Sequence, residues 1–158
     1  MTKIPFVGLH AHSGLSLNDG LGYPQDHMDF AYENGADALA LTDHGHMNGL
    51  PYQVLHARKM KAEGKNFKPI FGVEAYFNPS LEQWRVEYEK AKQEKKKGIK
   101  NDIELSIENE KASKQKVVDI LKKRNHLILI AQNQTGLNNI FKLVSESYKD
   151  ENFYRYPR

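Results

Sequence analysis

Ala38-Leu39-Ala40-Leu41-Thr42-Asp43-His44-Gly45 decides how the chain is to be read. Four apolar residues run without a polar interruption and stop at a polar, glycine-ended loop. A run that short is the signature of a strand buried on both faces, the kind found in α/β proteins. A helical pattern follows from about Gly49 to Glu63, with Leu50, Val54 and Ala57 as its apolar stripe and Gly64 as its stop. The same strand, polar loop and helix recur on both sides. Upstream, Ile4 to Leu9 ends in the loop HAHSGLSLNDGLG (10–22); Pro24 then suits the first turn of a helix to Asn34, which Gly35 ends. Downstream, Pro69 to Phe77 (PIFGVEAYF) and Leu127 to Ala131 read as further strands. Thr135 is the expected cap of a last helix lined by Leu137, Ile140, Phe141, Val144 and Tyr148.

Strands alternating with helices predict an α/β fold with a parallel sheet and helices packed outside it. Four such units do not close an ordinary barrel, which needs about eight strands and roughly 250 residues. The chain is therefore expected to form either a small open sheet or part of a larger barrel. Residues 79–124 interrupt the alternation as an insertion. Ser80 and Gln83 form a capping-box pair, and Leu81, Trp84, Tyr88 and Ala91 recur at helical spacing. The stretch QEKKKGIKNDIELSIENEKASKQK (93–116) is then highly charged and poor in apolar residues. It is expected to be exposed and partly helical. The end, NFYRYPR, is aromatic, basic and extended ahead of Pro157.

Composition narrows the function classes. The 158 residues suit one domain. Cysteine is absent, which excludes disulfides, thiolate metal sites and a cysteine nucleophile. Neither a signal peptide nor a membrane span is expected. The net charge of +3 comes from one segment: Glu82 to Arg124 holds 13 basic and 9 acidic residues, leaving the remainder at −1. Interspersed glutamates favour a solvated face there over a DNA-contacting lysine patch. Histidine is concentrated elsewhere, with six of seven in the first 56 residues.

His10 and His12 are one residue apart at the end of a strand, where i and i+2 side chains share a face. Asp19 lies in the loop that follows, His44 lies past the second strand and Glu74 lies in the third. In a parallel sheet these strand ends converge on one rim. Imidazole and carboxylate without thiolate favour Zn, Mn or Fe in an open site over a structural zinc-finger-like site. Asp43 is expected to support the site from beside His44, by orienting it or by capping a loop. His46 lacks a matched ligand position, and His27 and His56 fall in predicted helices as packing or surface residues.

His10-Ala11-His12-Ser13, Thr42-Asp43-His44-Gly45 and Gly72-Val73-Glu74-Ala75-Tyr76 resemble the first motifs of the PHP (polymerase and histidinol phosphatase) superfamily. Leu15-Ser16-Leu17-Asn18-Asp19-Gly20 is similar to the SLLDG element of bacterial-type DNA polymerase III alpha subunits. Lys68 to Glu74 is similar to their KPIxGxE strand. The run from His126 to Asn133, continued by Gly136, Leu137, Leu143 and Ser145, resembles their HLxLLAxN…G…NL…LVS segment, and NFYRYPR resembles the FYxxPR that follows it. The likeness covers almost the whole chain apart from the insertion.

The resemblance implies a distorted seven-stranded β/α barrel, of which about four units are present here. It implies up to three divalent ions, Zn or Mn and otherwise Fe or Mg, held by His10, His12, Asp19, His44, Glu74 and His126. The first five of these would also act in catalysis, through bound metal and water. His126 joins the set by resemblance alone, because it precedes its apolar run. The implied chemistry is phosphoester hydrolysis, including 3′–5′ exonuclease-type cleavage at a DNA 3′ end, in the bacterial or phage-infected cytoplasm. Activity is expected to fall at acid pH as ligand histidines protonate. Later ligands and the polymerase palm are not in this sequence, so a fragment is expected, completed in cis or in trans by the rest of the subunit. A non-catalytic module supporting a polymerase is the alternative, and a free-standing histidinol-phosphate-type phosphatase a further one.

Overall fold

The computed structural model describes residues 6–16, 19–98, 111–112, 114–115, 117–120 and 124–158, with residues 95–98 described by their backbone alone. In chain order the elements are α1 (Pro24–Glu33), β1 (Ala38–Leu41), α2 (Leu50–Ala62), β2 (Lys68–Phe77), α3 (Leu81–Gly98), β3 (Asn125–Ile130) and α4 (Gln134–Ser147). Residues 117–120 are also helical. The strands form one sheet in the order β1-β2-β3. Among the described residues no helix is long and apolar enough to cross a membrane.

β1 is the apolar run that opened the sequence reading. Ala40 is fully buried and Leu41 nearly so, as a strand covered on both faces requires. It pairs in parallel with β2, Ala38 against Lys68 through Leu41 against Phe71. On one side, α1 and α2 pack together over Met28, Met60 and Phe67, with Leu39 and Ala57 joining them. The buried side of α2 carries Gln53 and Met60, while Leu50, Val54 and Ala57 are half-buried. Met60 was not in the expected stripe; it falls three residues beyond Ala57, on the same helical face.

The strand expected at Ile4–Leu9 reduces, in its described part, to a single parallel bridge between Gly8 and Leu39. The N–H of Ala40 donates to Gly8 O, and that of Thr42 to Ala11 O, both at 2.8 Å. Three residues on the first segment thus match two on β1. Such an extra residue is a bulge, and it breaks the regular ladder just before His12.

The expectation of a wholly parallel sheet is corrected at β3. That strand runs antiparallel to β2, from Gly72 against Ile130 to Phe77 against Asn125. The cause lies in the connection. α3 leaves from the end of β2, and the helical residues 117–120 return against it, with Trp84, Ala91 and Ile120 buried in one cluster. The Trp84 indole N–H donates to Ile120 O at 3.0 Å. A connection that goes out and back re-enters the sheet at the end it left, so the next strand must run the other way.

Two smaller differences concern caps and the insertion. Asn133, not Thr135, caps α4: its side chain accepts from the Gly136 N–H. Ser80 does cap α3, its hydroxyl accepting from the Gln83 N–H at 3.2 Å. Most of the charged stretch 93–116 lies outside the described residues.

Close strand approach at the sheet centre requires Gly72. A Cβ there would lie 2.6 Å from Leu129 O and 3.0 Å from Thr42 Cγ2. Backbone in a paired strand cannot give way cheaply. Gly72→Val is expected to cost about 1–3 kcal/mol and to lower the thermal unfolding midpoint by several degrees. An unchanged midpoint by circular dichroism would show that β2 and β3 are not this closely paired.

Candidate metal centre

The strand ends and their loops place five side chains around one buried carboxylate. Glu74 is 2% exposed and sits in β2 at the position bridged by His44. Two residues earlier in β2 comes Gly72, and two later Tyr76, so all three side-chain positions share one face. Across the antiparallel pair, His126 lies opposite Tyr76 and diagonal to Glu74. The reversal of β3 explains why a histidine that precedes its apolar run belongs here: the start of β3 lies beside the end of β2.

The Nε2 atoms of His10 and His12 lie 2.6 and 2.7 Å from the same oxygen, Glu74 Oε2. His44 Nδ1 stands 3.8 Å from Glu74 Oε1, and His126 Nδ1 contacts that oxygen directly. Asp19 Oδ2 closes the far side, in contact with His12 Nδ1 and 2.8 Å from His44 Nε2. The rings pack edge to face, His12 on His44 at 4.4 Å and His44 on His126 at 4.9 Å between centroids. Tyr76 stacks on His44 at 5.6 Å and 13°.

Three loop contacts hold this arrangement. Asp43, itself buried, accepts from the Ser13 N–H at 2.7 Å and from the Ser13 hydroxyl at 2.9 Å, one bond to each carboxylate oxygen. It thereby ties the His10–Ser13 loop to the His44 loop, the loop-capping alternative of the sequence reading. The buried Ser16 hydroxyl accepts from the His44 N–H at 3.2 Å. Gly20 lets the loop carrying Asp19 fold back: a Cβ there would collide with the Ser13 carbonyl. Ser16 was visible in the sequence only as part of the motif; its bond to His44 is a tertiary fact with no local signal.

Electrostatics follow the geometry. Burial pushes the Glu74 carboxyl up, but His10, His44, His12 and His126 more than offset this and hold it below the usual carboxylate range. A hydrogen bond from His12 does the same for the exposed Asp19. Burial pushes the His44 imidazole down, against the pull of Glu74. Burial thus favours the neutral ring, the form that ligates metals.

The donor set fits divalent metal. His10 and His12 aim both Nε2 atoms at one oxygen, with those nitrogens only 2.9 Å from each other. Two imidazole nitrogens and a carboxylate oxygen this close together can share one cation. His44 Nδ1 is buried with no hydrogen-bond partner, an orphan that a ligand would satisfy. The six residues fall into three groups whose ligand atoms lie within 4.8 Å of one another: His10, His12 and Glu74; His12, Asp19 and His44; His44, Glu74 and His126. The other histidines stay outside. His56 meets Asp29 at 2.9 Å, His27 the Leu21 carbonyl at 2.6 Å, and His46 Nδ1 accepts from the Asn48 N–H.

The chain matches the family model described as PHP domain over residues 8–158. It is 36% identical over 153 residues to DNA polymerase III subunit alpha of Aquifex aeolicus, covering 97% of this chain and 10% of that protein. It is 33% identical over 159 residues to the subunit of Treponema pallidum, covering 100% and 10%. The subunit of Borreliella burgdorferi is 34% identical over 157 residues, covering 97% and 10%. The chain thus spans about a tenth of the length of these curated relatives. Among solved structures, a candidate metal-dependent phosphoesterase from Bifidobacterium adolescentis aligns over 94% of this chain and 56% of its own. At 14% identity and a TM-score of 0.39 it bears on neither fold nor activity. The match that begins just ahead of His10 and runs to Arg158 takes in every residue of the histidine and carboxylate cluster, and by it the chain belongs to the PHP domain family.

Proposed function

We propose that the chain is a metal-dependent phosphoesterase module of a DNA polymerase III alpha-type protein, cleaving phosphoester bonds of the kind found at a DNA 3′ end. The observation that carries the reading is Glu74, a buried carboxylate contacted by three imidazoles and approached by a fourth, His44, which carries an orphaned nitrogen. In this reading His10, His12, Asp19, His44, Glu74 and His126 hold up to three divalent ions, zinc or manganese by their nitrogen and oxygen donors. Such ions, when bound, polarise a phosphoryl oxygen and bring the pKa of a coordinated water toward about 7.

The chain's own residues account for the rest. Glu74 and Asp19 contribute two negative charges and the histidines none when neutral, so a site holding two divalent ions keeps a positive balance for an anionic ester. His10 and His126 are about half exposed, which leaves the substrate side open while Glu74 closes the floor. Asp43 and Ser16 hold the loops, and so act on the ligands through position. Polymerase association rests on the relatives, which are alpha subunits many times longer than this chain.

Three outcomes test the reading. His12→Ala and His44→Ala each remove a member of two of the three groups, and are expected to lower bound metal by at least half. Phosphodiester and p-nitrophenyl phosphate hydrolysis should fall about 100-fold or more. Mass-spectrometric metal counting that finds both variants unchanged, with hydrolysis intact, would overturn the assignment. Stripping metal with a chelator is expected to abolish hydrolysis and to lower thermal stability. Saturation at 100 times the dissociation constant should restore about 2.7 kcal/mol. A folded chain that takes up no metal and hydrolyses nothing would support the non-catalytic module instead. Asp43→Ala keeps all six ligands but frees Ser13. It is expected to weaken metal binding about 10- to 100-fold, read by competition with a chelating dye.

A further inference from the structure

Arg124 closes the charged insertion and immediately precedes β3, two residues ahead of His126. Extended backbone puts 124 and 126 on one face of the strand, and their contacts agree: both side chains meet the Tyr76 ring. The Arg124 guanidinium carbon lies 4.9 Å from the Tyr76 centroid and 4.0 Å from that of Tyr156. The His126 ring lies 5.4 Å from Tyr76. Tyr76 in turn stacks on His44. One aromatic wall therefore separates, and positions, the cation and the histidine cluster.

Stacking uses only the faces of a guanidinium and leaves its N–H groups free in the plane. Arg124 Nε is buried and has no hydrogen-bond partner, while the guanidinium hydrogen-bonds the Tyr76 hydroxyl. The contrast with Arg158 is informative. That guanidinium also lies over an aromatic ring, Trp84 at 4.2 Å, but its Nη1 donates to the carbonyls of Tyr154 and Tyr156. Arg158 is thus employed within the fold, while Arg124, hydrogen-bonded to Tyr76 and stacked on Tyr156, keeps its Nε–H without a partner.

We infer that Arg124 is the phosphate-binding residue of the site, presenting a planar N–H pair to the anionic oxygens of the phosphoester while Tyr76 and Tyr156 fix its direction. The inference rests on the phosphoesterase reading for its substrate. Its recognition chemistry is that of guanidinium and phosphate, which form paired parallel hydrogen bonds. Tyr76 and Tyr156 are positioning residues, acting through Arg124. The charged insertion thereby delivers to the site one cation placed by its last residue, rather than a diffuse lysine surface.

The test uses the full chain and inorganic phosphate as probe, followed by calorimetry and phosphorus NMR, with and without zinc or manganese. Arg124→Ala is expected to weaken phosphate binding about 10-fold or more in either state, with metal content unchanged. Arg124→Lys, which keeps the charge but not the planar pair, should recover only part of this. Arg155→Ala removes an exposed positive charge from the same end of the chain and should leave phosphate affinity within 2-fold. Tyr156→Leu should weaken phosphate binding while Arg124 itself is present. In hydrolysis, Arg124→Ala should raise KM more than it lowers kcat. Equal phosphate affinity in wild type and Arg124→Ala, with unfolding curves that superpose, would overturn the inference. So would an Arg155→Ala loss as large as that of Arg124→Ala. If the chain takes up no metal yet Arg124→Ala still abolishes phosphate binding, the metal reading fails and the assignment of Arg124 stands.

Discussion

Glu74 is the constraint around which this molecule is organised. A carboxylate almost wholly withdrawn from water is tolerated only if charge and hydrogen bonding are returned to it locally. Here the return comes from four histidines on three separate stretches of chain, each stretch delivered by a different structural device. A bulge places His10 and His12, a parallel bridge places His44, and a reversed strand places His126. Removing any one of these devices would leave the carboxylate under-satisfied, so the packing of the sheet and the assembly of the site are one problem.

The loops obey the same logic at longer range. Ser13 and Asp43 lie thirty residues apart but share two hydrogen bonds, and Ser16 reaches the His44 backbone. These contacts are buried, and a buried polar pair is strong largely because leaving it unmade is expensive. The two loops therefore hold their imidazoles in place through backbone anchors, not through the imidazoles themselves. That division of labour leaves the ring nitrogens of His44 uncommitted to protein partners on one side.

Much of this was legible in the sequence, and the failures share a cause. β1 announced itself as an unbroken apolar run, and His10, His12, Asp19, His44 and Glu74 followed strand ends whose convergence is a property of parallel pairing. His126 obeyed no such rule and was placed only by resemblance, because the sense of β3 depends on how residues 78–124 pack, and packing leaves no periodic mark. Thr135 was the expected cap of α4, but the helix begins at Gln134 and Asn133 caps it. Arg124 was counted among 13 basic residues of a solvated segment. Nothing local distinguished it from its lysine neighbours, since its stacking partners lie 48 residues before it and 32 after.

The out-and-back path between β2 and β3 has a consequence for how such chains can diverge. The register is pinned at the base of the excursion, by Phe77 against Asn125 and by the Trp84 cluster just beyond it. Residues added between these anchors leave both anchors in place. The entropic cost of closing a longer excursion grows slowly, about 0.6 kcal/mol for each doubling of length. A longer connection therefore costs little as long as these anchors hold His126 beside Glu74.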